Sequence, residues 1–339
     1  FNQDPELGEI PEKIKQLVPE NVQLVYWDYF SREQQRYEKN IDAHNAIKSE
    51  SWFAGGLWTW AGFAPHNAFA IATMREAMRA CHAKGVENVV MTMWGDNGAE
   101  CSKFAVLPAL FMVARMARGI DDEETIHANF EKEFGIPFED FRALDLAGTQ
   151  NDSAEAIYNP EKYLLYCDPF MGQFDNRVKP ADAAGYANCA ARLAVYADHA
   201  EYGYLFRSLR ALCAFLSVKA DLGIRTRAAY LSGDKKAAKA LCTDYDAALE
   251  RLDVFYAAYE QQWMHENKPQ GFDVVDLRIG GQRQRLLHCR DRLLAYAEGR
   301  LDRIEELEEP VLDCCCEETA DGKAARAIFW HEIASANVI

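Results

Sequence analysis

The chain has 339 residues, of which 49% are hydrophobic, enough for a sizeable core in about two domains of roughly 150 residues each. It carries 37 Lys and Arg against 53 Asp and Glu, a net charge of −16. This charge repels phosphate backbones and anionic lipids, so we expect no nucleic acid and no membrane as partners. The sequence contains no run of 18 apolar residues, and its first residues have neither the basic nor the apolar region of an export signal.

The ten cysteines predict buried free thiols in a cytoplasmic protein. No CxxC pair occurs, and most cysteines stand singly in apolar helical stretches, as Cys81, Cys189, Cys213 and Cys242 do. We assign no function to the cysteines at 314–316, because adjacent side chains point in different directions and cannot share one tetrahedral metal without other ligands. No histidine has a second ligand at metal spacing and no glycine pair forms a phosphate loop, so we expect no metal and no cofactor.

The first part of the chain predicts strands that alternate with helices. Short β-rich runs lie at residues 22–27, 52–58 and 88–94. Helices are expected from Ser31 to about Lys48, from Asn67 to Gly85, and from Ser102 onward, because Ser and Asn favour helix starts and Gly follows helix ends. The spacing of the strand ends fits a crossover helix each time, which predicts a βαβαβα order with parallel strands.

From residue 180 onward the apolar period is helical, which predicts an antiparallel bundle. Long segments cover residues 181–201, 203–231, 235–264 and 282–307, interrupted at 232–234 and 265–281, and a last amphipathic segment covers 324–334. We therefore predict an α/β plus all-α chain in three parts: a strand-bearing part at residues 1–120, a connecting segment at 121–175 and a helical domain at 176–339. The arginines at 278, 283, 285, 290 and 292 are expected to form surface ion pairs or to brace the strand-bearing part or a neighbouring subunit.

Three βα units are too few for a (β/α)₈ barrel, which needs eight. They fit either a small doubly wound sheet or part of a larger barrel. Parallel strands are normally buried on both faces, so the sheet would be left with an open edge. We expect either a partner segment that completes the sheet or a homodimer.

Aromatic and acidic residues follow each predicted strand. Trp27 and Asp28 end the first strand, Trp58 and Trp60 end the second, and Trp94 ends the third together with Asp96 and Glu100. The carboxyl ends of parallel strands meet at one mouth, where such architectures bind ligands. A pyranose packs its C–H face on an aromatic ring while its hydroxyls need acceptors such as carboxylates. The pattern favours a sugar site.

With these blocks the sequence resembles the family 20 glycoside hydrolases, the β-N-acetylhexosaminidases, in the bacterial branch with a helical domain after the barrel. The matching text is LVYWDY at 24–29, FAGGLWTWAGF at 53–63, TMWGDNGAE at 92–100, YLLYCDPF at 163–170 and NKPQGFDVVDLRIGG at 267–281. The resemblance implies that residues 1–120 are the last three βα units of a (β/α)₈ TIM barrel. It implies an exo-acting enzyme on glycans with terminal GlcNAc or GalNAc, whose own acetamido oxygen attacks the anomeric carbon, so that no enzyme carboxylate becomes covalently attached.

The resemblance also implies roles for single residues. Tyr26 would donate a hydrogen bond to the acetamido oxygen and Asp28 would accept one from a sugar hydroxyl. Trp94 would lie under the sugar ring. Trp58 and Trp60 would line the acetamido pocket or the leaving-group side, and Asp96 would bind outer hydroxyls.

The sequence departs from the family in one essential feature, the adjacent Asp-Glu pair at an earlier strand end, which orients the acetamido nitrogen and protonates the glycosidic oxygen. The adjacent residues Asp122 and Glu123, and the acidic residues at 305–309, lie in polar segments predicted to be helical, with no strand before them. We therefore expect this chain to be the carboxyl-terminal part of the enzyme and to be inactive alone. Two alternatives remain: a non-catalytic carbohydrate-binding or assembly module, and another sugar-acting barrel with paired carboxylates among Asp28, Asp96 and Glu100.

Overall fold

The computed structural model describes residues 12–149, 159–311, 317–319 and 322–324, and most of these are helical. The strands are β1 (Val25–Trp27), β2 (Trp52–Gly56), β3 (Val89–Thr92), β4 (Glu317–Thr319) and β5 (Gly322–Ala324). The helices are α1 (Glu12–Lys15), α2 (Gln34–Ile47), α3 (Asn67–Ala83), α4 (Leu107–Met116), α5 (Glu123–Phe134), α6 (Phe138–Phe141), α7 (Leu146–Thr149), α8 (Pro160–Tyr166), α9 (Asp182–Leu193), α10 (Gly203–Lys219), α11 (Leu222–Leu231), α12 (Lys235–Glu266) and α13 (Phe272–Ala297). The cysteines at 314–316 and residues 325–334 of the last predicted segment lie outside the described residues.

The first three strands form one parallel sheet in the order β1-β2-β3. Tyr26 lies beside Phe53 of β2, and Phe53 lies beside Val89 of β3. Helices α2 and α3 connect successive strands, as parallel neighbours require. The three predicted strands, their parallel direction and their connecting helices are confirmed.

The two faces of this sheet differ in burial. On one face Tyr26 and Phe53 are fully buried under α2 and α3. Gly55 is on the same face, where a Cβ would lie 2.4 Å from the Sδ of Met74 in α3, so the small residue lets the helix approach. The opposite face is open in the described part of the chain, where it exposes 38% to 48% of Val25, Trp27, Trp52, Val90 and Trp94.

The long helices α12 and α13 pack together as an antiparallel pair. The ion pairs between them show this direction, because residue numbers increase along α12 as they decrease along α13. The pairs are Lys239 with Glu298, Asp246 with Arg290, and Asp253 with Arg283. Helix α10 packs against both α9 and α12. Their apolar side chains form the centre of the predicted helical bundle.

Several predicted helix boundaries were wrong. The segment at 265–281 is not a long interruption, because α13 already begins at Phe272. Gly271 adopts a left-handed φ of 97°, which allows the turn between the two long helices. The predicted helix at 203–231 is broken between Lys219 and Leu222, and the one at 282–307 ends at Ala297.

The strand-bearing and helical parts share one apolar core. Phe63, which follows β2, lies 5.2 Å from the ring of Tyr259 and 5.5 Å from that of Phe255, both in α12. The domain boundaries at residues 120 and 175 stay a prediction. All seven cysteines in the described ranges are free and buried, which confirms the reading of those positions as core thiols. In those ranges no helix is both long and apolar enough to cross a membrane.

Candidate functional site

Aromatic rings from all three strand ends meet beside the open face of the sheet. The ring of Trp27 lies 5.9 Å from that of Trp94 and 5.6 Å from that of Tyr29, and Tyr29 lies 5.2 Å from Trp60. The indole nitrogen of Trp94 donates a hydrogen bond of 2.7 Å to the Tyr29 hydroxyl. Trp27 and Trp94 remain almost half exposed.

Trp58 lies behind this surface and supports it. Its ring stacks on Trp60 at 4.4 Å and 30°, and its indole nitrogen donates a 3.2 Å hydrogen bond to the backbone oxygen of Tyr29. It is only 5% exposed and has a φ of 53°, a left-handed conformation that is costly for a bulky residue. The buried stacking holds Trp58 in place, so it positions Trp60 and does not itself offer a free face.

Tyr26 and Asp28 form a hydrogen-bonded pair on the helix-covered side of β1. The Tyr26 hydroxyl donates to Oδ2 of Asp28 over 2.8 Å and accepts a 3.2 Å hydrogen bond from Asn40 of α2. Burial, and then the charge of Asp28, raises the pKa of Tyr26 well above its usual range. Its ring packs 5.1 Å from His44, on the face opposite to Trp27.

Asp96 and Glu100 follow β3 in one loop but have opposite surroundings. Asp96 is exposed and begins a single 3₁₀ turn. Glu100 is buried between two cations, Lys162 and Arg278, with a 3.3 Å contact to the latter. Because Asp28 is also buried and hydrogen-bonded, Asp96 is the exposed carboxylate of these three. This arrangement does not favour the alternative of conventional paired carboxylates.

Lys103 is a site residue that the sequence did not suggest. Its ammonium group donates to the Thr59 hydroxyl over 3.0 Å and to the backbone oxygen of Trp94 over 2.8 Å. The Thr59 hydroxyl donates to the same oxygen over 2.8 Å. Burial lowers the pKa of Lys103, while the nearby charge of Asp96 opposes the shift. Lys103 thus ties the loop after β2 to the end of β3.

The structure therefore brings together part of the predicted site. Trp94 is exposed beside Trp27 and Trp60 is partly buried near them, while Tyr29 and Trp58 are buried behind these rings. Tyr26 does not share that surface. Among the described residues no group of three metal-binding side chains occurs.

One protein family matches this chain, the Glycoside Hydrolase 20C C-terminal domain, over residues 137–326. The match covers more than half of the chain. The chain belongs to family 20 of the glycoside hydrolases. No curated protein matches it.

The region matched to family 20C begins within the predicted connecting segment and covers most of the helical part. It includes Lys162, Tyr259 and Arg278, all of which contact Glu100 in the loop after β3. Strands β1, β2 and β3 and their aromatic ends lie before it. The roles predicted for Tyr26, Asp28, Trp58, Trp60, Trp94 and Asp96 thus stay predictions.

Proposed function

We propose that this chain is the carboxyl-terminal part of an exo-β-N-acetylhexosaminidase that acts on glycans with terminal GlcNAc or GalNAc. The observation that carries the proposal is the half-exposed pair Trp27 and Trp94 at the carboxyl ends of parallel strands, in a chain of family 20C. Parallel α/β enzymes bind their substrates at this end of the sheet.

The open face of the sheet supports a barrel. Parallel sheets are normally covered on both faces, and the inner face of a (β/α)₈ barrel is filled by side chains from neighbouring strands. Val25, Trp52 and Val90 are apolar, lie on the face opposite to the helices and remain more than a third exposed. We propose that further barrel strands, outside this chain, cover them and supply the catalytic Asp-Glu pair.

Within that site the accessible and partly buried groups have simple chemical roles. Trp94 would pack under the sugar ring, Trp60 would line the acetamido or leaving-group side, and exposed Asp96 would accept hydrogen bonds from outer hydroxyls. The substrate's acetamido oxygen would attack the anomeric carbon, as in family 20 generally.

The acetamido oxygen needs a hydroxyl donor, and two tyrosines are candidates. The resemblance assigns this role to Tyr26, which would have to exchange Asp28 for the sugar and be reached from its buried side. Tyr29 already has its hydroxyl beside Trp94, where it accepts a hydrogen bond and keeps its own proton for donation.

A pair of substrates tests the proposal in the full-length enzyme. We expect hydrolysis of an aryl N-acetyl-β-glucosaminide and none of the matched aryl β-glucoside, because the latter has no acetamido nucleophile. Equal hydrolysis of both would indicate conventional carboxylate catalysis instead. The 339-residue chain alone should show no turnover.

A carbohydrate-binding or assembly module is the second candidate. It remains because the chain's own step Asp122-Glu123 supplies no catalytic pair: Asp122 accepts a hydrogen bond from the backbone of Thr125 as the cap of α5. Binding of N-acetylglucosamine by the full-length protein without hydrolysis of either aryl substrate would support this function.

A further inference from the structure

The loop that carries Trp94 and Asp96 is held by the helical part of the molecule. Its last residue, Glu100, is buried, and its carboxylate forms ion pairs with Lys162 of α8 and Arg278 of α13. Both cations are themselves buried. Removing one partner of such a group leaves an uncompensated buried charge, so the interaction strongly fixes the loop end.

The helical part contacts the backbone of the loop at two further points. Gly98 has a φ of 118°, and a Cβ there would lie 2.6 Å from Nη1 of Arg278, so the guanidinium approaches the loop as closely as a glycine allows. The hydroxyl of Tyr259 in α12 donates a 2.9 Å hydrogen bond to the backbone oxygen of Glu100.

Two residues after Glu100, Ser102 attaches the chain to α12 a second time. The Ser102 hydroxyl donates over 2.5 Å to Oε1 of Glu266, at the end of α12. The same serine caps the next helical turn by accepting a hydrogen bond from the backbone of Phe104. Residues 98–102 are thus fixed from three helices, whereas Asp96, four residues before Glu100, is exposed.

We propose that Arg278, together with Lys162 and Tyr259, is a positioning residue that sets the loop carrying Trp94 and Asp96 for sugar binding. The proposal rests on the proposed function and adds a role for the helical part, which contributes binding geometry without touching the sugar. Other arginines of α13 differ in this respect. Arg283 pairs with Asp253 inside the helical part and makes a matched control.

The test compares Arg278→Gln, Arg278→Lys and the control Arg283→Gln in the full-length enzyme. Amide hydrogen exchange of residues 94–102, measured without substrate, should rise about 10-fold or more in Arg278→Gln and less in Arg278→Lys. The loop opens more often when its ion pair with the helical part is weakened. KM for the aryl N-acetylglucosaminide should rise about 10-fold with kcat changed less, since the lost interaction positions a binding surface. Arg283→Gln should leave both quantities unchanged.

Tyr259→Phe provides a milder variant if Arg278→Gln does not fold, because it keeps the ring and removes only the hydrogen bond to Glu100. It should raise exchange in the same segment by a smaller factor. Unchanged exchange in residues 94–102 in the folded variants would contradict the proposal that Arg278 positions this loop. If exchange rises in Arg278→Gln but even the wild-type enzyme hydrolyses neither aryl substrate, the proposed function is overturned and the positioning role of Arg278 in the loop stands.

Discussion

The indole nitrogen of Trp94 donates its hydrogen bond to the hydroxyl of Tyr29, at 2.7 Å, and so joins the end of β3 to the loop after β1. These two strands are not neighbours, since β2 lies between them. The bond therefore spans the sheet at its carboxyl end. It fixes the plane of a half-exposed tryptophan, which is the property that a sugar-stacking ring requires.

Phenylalanine at position 29 should damage the enzyme more than phenylalanine at position 26 if Tyr29 holds the acetamido oxygen. We expect Tyr29→Phe to lower kcat/KM for the aryl N-acetylglucosaminide by about 10²-fold or more, as loss of a donor to a developing charge does. The reverse ranking would assign the role to Tyr26 and require its release from Asp28. Steady-state kinetics of both variants decides between them.

Removal of the Lys103 ammonium should weaken substrate binding. Lys103→Met keeps the length of the side chain but loses the hydrogen bonds to Thr59 and to the backbone of Trp94. Hydrogen bonds from charged donors contribute about 1.5 to 3 kcal/mol, so we expect KM to rise about 10-fold. Lys84→Met is the control, because Lys84 pairs with Asp42 at the far end of α3 and should change KM little.

The stability of the chain should depend on pH through Glu161. This side chain is fully buried, and burial raises its pKa from 4.5 to about 7. In the described structure its Oε2 has no hydrogen-bond partner, while Oε1 accepts a 3.3 Å bond from the backbone of Ala64. The native state therefore keeps a proton that the unfolded chain has lost, and stability should fall as pH rises from about 4.5 to about 7.

Denaturant unfolding of Glu161→Gln measures this contribution. Between about pH 5 and about pH 8 the variant should lose less stability than the wild type, by on the order of 2 to 3 kcal/mol. Glu250→Gln on the exposed side of α12 should behave like the wild type. Identical pH profiles for Glu161→Gln and the wild type would show that Glu161 is already ionised in the native state.

The isolated chain should associate through the open face of its sheet. Val90 is 44% exposed among other apolar side chains, and exposed apolar patches promote association. Val90→Lys should shift the light-scattering mass of the 339-residue chain toward that of a single chain. Val254→Lys on α12 should not, because Val254 is a lone exposed valine on a helix. A wild-type mass equal to one chain would contradict both this association and the expected homodimer.

The sequence alone was enough to predict β1, β2, β3 and the long helices, but not the short strands β4 and β5. Its β-rich runs ended at tryptophans with helix-length spacing, and its later apolar period was helical, so local pattern and crossover length decided the parallel sheet and the bundle. Family 20 was also evident from short blocks in order. The break at Ala220 was not, because helical periodicity continues through it, and the early start of α13 was not, because Pro269 and the glycines at 271, 280 and 281 favour an interruption.

Only the tertiary structure decided which side chains share a surface. Successive residues of a strand point to opposite faces, so the adjacent Tyr26 and Trp27 are separated by the sheet, and sequence order cannot show which face the helices cover. Lys103 and Lys162 gave no signal of a site, since a lysine in a helical segment resembles any solvated one, and Arg278 was only one of five arginines expected to form ion pairs or to brace the strand-bearing part. Their partners, Trp94 and Glu100, lie up to 178 residues away along the chain, and folding alone brings them into contact.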